Sequence, residues 1–264
     1  MLVLFRSSPM SIVKVYLASR VHNAKPVEAS ESRRFYFEDS MDADKLDYDS
    51  LYNQYKEVHG GLDFLEDDKL WEILEDEIFW ASRFNSPDRF QLILTVLAQI
   101  EKTGTKSYLA QQTLESREMK DRVRRVTGEF RRAKQYLTFT EDAANKVLIG
   151  KAGLEHRIAD LVLRHYAKRN PGYTIVILDE VNAHICYRDE ILVEPRKKFP
   201  ERPGKKDANR YWMLLSDLKH LESKRDMLYQ TYPLPRNYWK WVSEGVQSYG
   251  SVPKITLDDF AAQT

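Results

Sequence analysis

Hydrophobic residues are most concentrated at residues 174–187, where two apolar runs flank a short polar segment. Thr174–Leu178 is almost continuously hydrophobic and rich in β-branched residues, a pattern typical of a strand buried on both faces. Residues 179–182 supply turn formers, and residues 183–187 resume the apolar pattern. The segment is therefore predicted to form a tight β-hairpin in the core of a sheet.

Helical spacing dominates the region before this hairpin. From residue 51 to about residue 132, hydrophobic residues recur at intervals of three and four, as in amphipathic helices. Gly60 and Gly104 predict helix ends. Ser86 followed by Pro87 predicts a helix start with Ser86 as its cap. A helix is also predicted over residues 106–132, either continuous or broken near residues 114–117.

Alternating patterns predict strands on both sides of the helical region. The predicted strands are residues 11–17, 33–38, 136–140, 146–150 and 190–193. Further helices are predicted over residues 153–169, 208–229 and 237–246. The fold class is therefore α+β: an N-terminal mostly helical region followed by a small mixed or antiparallel sheet with flanking helices. The predicted divisions are residues 1–115, residues 116–250, and a tail at 251–264.

Charge is unevenly distributed, although the formal net charge is only +1. Residues 38–77 carry 15 Asp or Glu against three Lys, a net charge of −12, so the remainder carries +13. This asymmetry predicts an acidic face or lid and a basic surface, with two well-solvated faces as the alternative. The single cysteine, Cys186, excludes an intrachain disulfide framework and favours a cytoplasmic setting. No apolar run approaches the ~20 residues of a membrane helix, so no membrane association is expected.

A basic helix precedes the hairpin. Its apolar positions, Met119, Val123, Val126 and Phe130, form one stripe at intervals of four, three and four. The flanks carry eight cations within 18 residues: Arg117, Lys120, Arg122, Arg124, Arg125, Arg131, Arg132 and Lys134. Such a surface suits contacts with phosphate groups of nucleic acid. The alternative is a solvated face paired with the acidic N-terminal segment.

More cations follow in the predicted helix 153–169 and in residues 195–207, a proline-rich loop. The aromatic residues near the end of the chain, including Tyr238 and Trp239, are candidates for stacking on unstacked bases, with core packing as the alternative. The six histidines match no metal-ligand spacing, and no phosphate-binding glycine motif is present, so neither a metal nor a cofactor is predicted. Asp179 is either a turn former with an ion-pair partner or a catalytic acid.

The C-terminal half resembles a bacterial and phage family of unknown function associated with DNA metabolism and DNA repair. The resemblance covers residues 117–245 and is carried by the order of four segments. These read VRRVTGEFRRAKQYLTF from Val123, HRIADLVLRHYAKRNPGYTIVILDEVNAHICY from His156, YWMLLSDLKHLESKRDM from Tyr211, and LPRNYWKWVSEG from Leu234. Members of that family typically occur beside a radical-SAM DNA-modification or repair protein, and some are fused to a uracil-DNA-glycosylase-like domain.

The resemblance implies which positions matter. The matching residues are Glu129, Arg132, Lys134, Tyr136, Phe139, Leu161, His165, Tyr166, Lys168, Arg169, Asp179, Tyr187, Arg225, Pro235, Arg236, Tyr238 and Trp239. Two positions depart from the family, since Thr138 stands where it usually has Arg and Asp160 where Pro is expected. The family has no settled activity, so the resemblance implies a process and not a reaction.

Three hypotheses follow. The first is a DNA-metabolism protein that binds nucleic-acid backbone through Arg124, Arg125, Arg132, Lys134, His165, Lys168, Arg169, Arg225 and Arg236. The second is an enzyme acting on a nucleotide or a base in DNA, with His165 or Asp179 as acid or base. The third is an adaptor whose acidic segment mimics DNA or covers the basic face. DNA or a nucleotide is the expected ligand, and a radical-SAM protein or a uracil-DNA-glycosylase-like protein is a candidate partner.

Overall fold

A computed structural model describes residues 1–29, 40–187 and 190–198. The described helices are α1 (Pro9–His22), α2 (Tyr48–His59), α3 (Asp63–Glu66), α4 (Asp68–Ala81), α5 (Arg89–Thr103), α6 (Thr105–Leu109), α7 (Leu114–Tyr136) and α8 (Ala159–Arg169). The described strands are β1 (Leu2–Phe5), β2 (Lys25–Glu28), β3 (Ser40–Asp42), β4 (Phe139–Asp142), β5 (Val147–Lys151), β6 (Thr174–Leu178), β7 (Asn182–Tyr187) and β8 (Glu190–Pro195). The α+β fold class with a helical N-terminal region is confirmed.

The N-terminal region contains a small parallel sheet that the sequence did not reveal. Its strand order is β2-β1-β3, and α1 provides the crossover between the parallel strands β1 and β2. The predicted strand over residues 11–17 is wrong because these residues lie inside α1. Ser8 caps that helix by accepting a hydrogen bond from the Ser11 amide, and Pro9 occupies its first turn. The helix is buried on most sides, which hides its helical period.

The helical array between residues 48 and 136 largely follows the predicted pattern. α2 ends at Gly60 and α5 ends at Gly104, both with positive φ angles, as predicted. The predicted cap at Ser86 is wrong, because α5 begins at Arg89 after Asp88. The predicted helix 106–132 is two helices, since a capping box between Thr113 and Ser116 starts α7 afresh. No helix in the described ranges is both long and apolar enough to cross a membrane.

The second sheet has the strand order β4-β5-β6-β7-β8. The predicted hairpin is confirmed, since β6 and β7 pair antiparallel and the Asp179 amide donates to the Asn182 carbonyl across the turn. β8 extends this meander at the edge, as predicted. β5 and β6 are parallel and joined through α8, which forms a second βαβ unit. The fully buried strand β6 therefore pairs with one parallel and one antiparallel neighbour.

Two boundaries in this half differ from the predictions. α7 continues through Tyr136, so the following strand begins at Phe139 instead of residue 136. α8 begins at Ala159 instead of residue 153, which leaves an irregular segment after β5. The predicted strand 33–38 and helices 208–229 and 237–246 lie outside the described residues. The predicted division at residues 115 and 250 stays a prediction.

The basic helix α7 is held in place by its apolar stripe and by a buried carboxylate. Met119 and Val126 are fully buried, which confirms the predicted stripe. Glu77 on α4 lies 9% exposed, accepts a hydrogen bond from the Tyr108 hydroxyl and pairs with the Lys120 ammonium group. α7 is therefore fixed to the helical array along its first half.

Arg83, just after α4, connects the helical array to the second βαβ unit. Its guanidinium donates to both carboxylate oxygens of Asp160, at 2.7 and 3.0 Å. It also donates to the Arg157 carbonyl at 2.9 Å, and its own carbonyl accepts from the Arg157 amide at 2.9 Å. The Arg83 side chain is 8% exposed, so this is a nearly buried, bidentate ion pair.

Replacing Arg83 with alanine is expected to destabilise the protein by about 3–5 kcal/mol, because the Asp160 carboxylate is left without its buried partner. Urea unfolding measures the loss. The matched control is Arg124→Ala, which removes an exposed i,i+3 pair with Asp121 and should cost less than about 1 kcal/mol. Equal costs for the two variants would contradict the importance of the Arg83–Asp160 pair.

Candidate active site

A cleft of about 350 Å³ lies beside the carboxyl ends of three strands. Ser7 follows β1, His156 follows β5 and Asp179 follows β6, and all three line it. The walls are completed by the start of α8, by the segment after α4, and by β7 and β8. In sheets built from βαβ units, ligands bind beyond the carboxyl ends of the parallel strands. The cleft is therefore the candidate active or ligand-binding site.

Asp179 and His184 form a hydrogen-bonded pair within this cleft. His184 Nε2 lies 2.7 Å from Asp179 Oδ2. Asp179 Oδ1 accepts from the amides of Val181 at 2.7 Å and Asn182 at 2.5 Å. Burial raises the pKa of Asp179, but the hydrogen bonds from Asn182, His184 and Val181 outweigh it and leave the pKa below its ordinary value. The carboxylate is therefore ionised and fixed in orientation.

In this arrangement, Asp179 holds the His184 imidazole ring in one orientation. The side chains of His184 and Asp179 are 16% and 26% exposed, so both are partly shielded but reachable. A carboxylate that accepts from one ring nitrogen fixes the tautomer and the orientation of the ring, an arrangement that acid–base catalysis uses. Arg196 adds support, because its Nη1 donates to the Asp179 carbonyl at 2.8 Å. The pair can exchange a proton with a ligand in the cleft.

The cations of α7 divide into paired and unpaired groups. Lys120 pairs with Glu77, and Arg122 is 8% exposed with Asp88 at 2.8 Å, so both serve the fold. Arg124 pairs with Asp121, and Arg125 lies 2.9 Å from Glu155. The exposed residues Arg131 and Arg132 have no carboxylate within ion-pair distance in the part of the chain that the structure describes. The alternative of pairing with the acidic segment thus applies to Lys120, whereas no described carboxylate occupies Arg131 or Arg132.

His165 lies among several of the predicted phosphate-binding residues. Its pKa is lowered to about 4, first by burial and then by the positive charges of Lys134, Arg169 and Lys168. Its Nε2 is buried without a hydrogen-bond partner in the described chain. Lys134 also has a lowered pKa, because it is partly buried, with its ammonium 4.6 Å from the Phe130 ring centre, and because Arg131 is close. The ends of α7 and α8 therefore share one cationic surface.

The structure separates the two catalytic candidates. Asp179 lines the cleft, whereas His165 does not. Arg225, Arg236, Tyr238 and Trp239 lie outside the described residues. Among residues 1–29, 40–187 and 190–198, no group of three or more His, Cys, Asp or Glu side chains is placed to hold a metal ion.

A protein-family model matches residues 87–244, which is more than half of the chain. The chain belongs to the DUF4130 family, a domain of unknown function. No curated protein and no solved structure matches the chain. The DUF4130 match includes α5–α8, the second sheet and the Asp179–His184 pair, whereas Ser7 and Arg83 of the cleft precede it.

Sequence reasoning missed His184, His156, Asn182 and the Arg83–Asp160 pair. A signal existed for His184, because it lies five residues after Asp179 in a hairpin with a regular apolar pattern. Asp179 and Asn182 close the turn, and His184 is two residues further along β7 on the same face as Asn182. No pattern in the DUF4130 region could have indicated Arg83, which lies just after α4 and meets Asp160 at a separation of 77 residues.

The stability of the protein should fall as the pH drops from 6.5 towards about 4, partly through His165. The folded-state pKa lies below the unfolded value, so the unfolded state binds the proton first and is favoured in this window. Above pH 6.5 the contribution is fully present, and below about pH 4 it is lost. His165→Gln should flatten this part of the pH dependence of the unfolding free energy, as measured by urea titrations. An unchanged slope would show that His165 is readily protonated in the folded state.

Proposed function

We propose that this DUF4130 protein binds the phosphate backbone of nucleic acid. The contact area, called the basic surface below, consists of Arg131, Arg132, Lys134, Lys168 and Arg169 at the ends of α7 and α8. Phosphate contacts of this kind give affinity without reading sequence. With the family resemblance, this supports a role in DNA metabolism or repair, with a radical-SAM DNA-modification protein or a uracil-DNA-glycosylase-like protein as the proposed partner.

The observation that carries the proposal is the absence of acidic partners at Arg131 and Arg132 among the described residues. Elsewhere on α7, Lys120, Arg122, Arg124 and Arg125 each pair with a carboxylate. Like charges that are left close together cost stability, and the pKa of Lys134 is lowered first by burial and then by the positive charge of Arg131. A bound polyanion relieves that repulsion, so the surface is complementary to phosphate groups.

The double variant Arg131→Ala/Arg132→Ala should weaken binding to a dye-labelled single-stranded DNA. Each arginine that contacts a phosphate displaces counterions, so the slope of log K against log salt should become shallower by about 2. Fluorescence anisotropy titrations at several salt concentrations measure both effects.

The matched control is Lys25→Ala/Lys45→Ala, which removes the same charge from two exposed lysines outside α7 and α8. Its affinity and salt slope should equal those of the wild type. Wild-type binding that is absent or insensitive to salt would contradict the proposal, as would equal losses in the two double variants.

An enzyme acting on a nucleotide or a base is a second candidate function, favoured by the Asp179–His184 pair in the cleft. Of the two catalytic candidates from the sequence, Asp179 fits this role as the residue that orients His184. His165 has an unpartnered ring nitrogen among the described residues but is not part of the cleft lining, and it lies near Lys134, Lys168 and Arg169 of the basic surface.

The enzyme hypothesis predicts a mass change in a nucleotide or oligonucleotide incubated with the protein. Mass spectrometry of a panel of nucleotides and short DNA strands should reveal the product. His184→Gln should abolish product formation, and Asp179→Asn should reduce it and change its pH profile, because the ring loses its orientation. A product that forms equally with both variants would exclude this pair as the catalytic group.

A further inference from the structure

The cleft has the size and lining of a pocket for a single nucleobase. Its volume of about 350 Å³ is at the lower end of the ~300–1,000 Å³ typical of ligand pockets. Leu154, Ile191 and Val193 provide apolar walls against which the faces of a planar ring can pack. Asn182 and His184 place polar groups in the same lining. This combination matches a base, which has apolar faces and hydrogen-bonding edges.

The charges within the cleft are mostly neutralised by each other, which disfavours a small ion as the ligand. Arg83 is paired with Asp160, and Asp179 is paired with His184. Two polar groups remain open, because neither the Asn182 side-chain amide nor His184 Nδ1 makes a hydrogen bond with any residue the structure describes. These groups would otherwise stay unsatisfied once a ligand excludes water, so a ligand with matching donors and acceptors is favoured.

The cleft and the basic surface adjoin each other along α7. The Glu129 carboxylate on α7 accepts hydrogen bonds from the amides of Glu155 at 2.6 Å and His156 at 2.9 Å. Arg132, one residue of the basic surface, lies close enough to His156 to help lower its pKa, after burial and alongside Arg125. The end of α7 therefore lies beside the wall of the cleft that Glu155 and His156 supply.

We propose that the cleft receives one unstacked base of a single-stranded nucleic acid whose phosphates are held at the basic surface. The inference rests on the proposed backbone binding, which it deepens by naming the unit that enters the site. His184 and Asn182 contact the edge of the base, and Asp179 is the positioning residue that fixes the His184 ring. Single strands are favoured because their bases need not be unpaired before they enter a pocket.

A DNA strand that carries one 2-aminopurine and an end-attached dye tests backbone binding and base entry in one sample. Dye anisotropy reports strand binding, and 2-aminopurine emission rises when that base leaves the stack and enters an apolar pocket. With the full-length wild-type protein, both signals should increase and saturate together. The double variant Arg131→Ala/Arg132→Ala should reach saturation at a higher protein concentration than the wild type. At saturation, its 2-aminopurine emission should equal that of the wild type.

Variants of the cleft separate base entry from backbone binding. Val193→Trp fills the space beside His184, its cross-strand neighbour on β7. It should leave the strand affinity within about twofold, since phosphate contacts dominate affinity, and should abolish the rise in emission. His184→Gln is a milder variant that does not overfill the cleft, and it should reduce the rise by several-fold. Both are compared after their thermal unfolding confirms a folded state.

The backbone proposal and the base-pocket proposal are overturned by different results. Strand binding to the wild type without a rise in emission overturns the base pocket and leaves the backbone proposal standing. A rise that persists in both cleft variants likewise overturns the pocket, because the base then unstacks elsewhere. Absence of strand binding overturns the backbone proposal and the base pocket with it.

Discussion

The position of the cleft depends on the ion pair between Arg83 and Asp160. The carbonyl and guanidinium of Arg83 both bond to residues at the start of α8, so the end of α4 and the second βαβ unit are fixed at three points. The backbone amide of Asn85 adds a further contact, since it donates to His156 Nδ1 at 3.4 Å. A buried pair of this kind is weak evidence for high stability, but breaking it leaves an uncompensated charge. Its main effect is to specify one arrangement of the cleft walls.

This pair also crosses the boundary of the family match. Asp160 belongs to the DUF4130 region, whereas Arg83 precedes residue 87, where that region begins. The Asp160 carboxylate is the group in that region that receives the Arg83 guanidinium. A fragment cut at the family boundary would therefore leave Asp160 without its cation and would remove Ser7, Ser82 and Arg83 from the lining of the cleft.

Local sequence patterns predict some helices and strands correctly and mislead at others. Thr174–Leu178 and its turn were predicted because burial on both faces and β-branched residues point the same way. Residues 11–17 were assigned to a strand because a helix buried on most sides shows no helical period, and the decisive Ser8 cap is a weak signal on its own. The cations of α7 are evident from the sequence, but only the fold shows that Lys120 and Arg122 are used internally. The cleft could not be predicted, since its walls come from segments up to 186 residues apart, from Ser7 to Val193.

The two hydrogen bonds that the Glu129 carboxylate accepts have a consequence for the segment between β5 and α8. This segment has no regular secondary structure and supplies Leu154, His156 and Arg157 to the cleft. A free loop of this kind loses conformational entropy when a ligand orders it. Because the carboxylate already holds the amides of Glu155 and His156, much of that ordering takes place when the chain folds. The wall of the cleft is thus preorganised, and a ligand binds there at a smaller cost in conformational entropy of the loop.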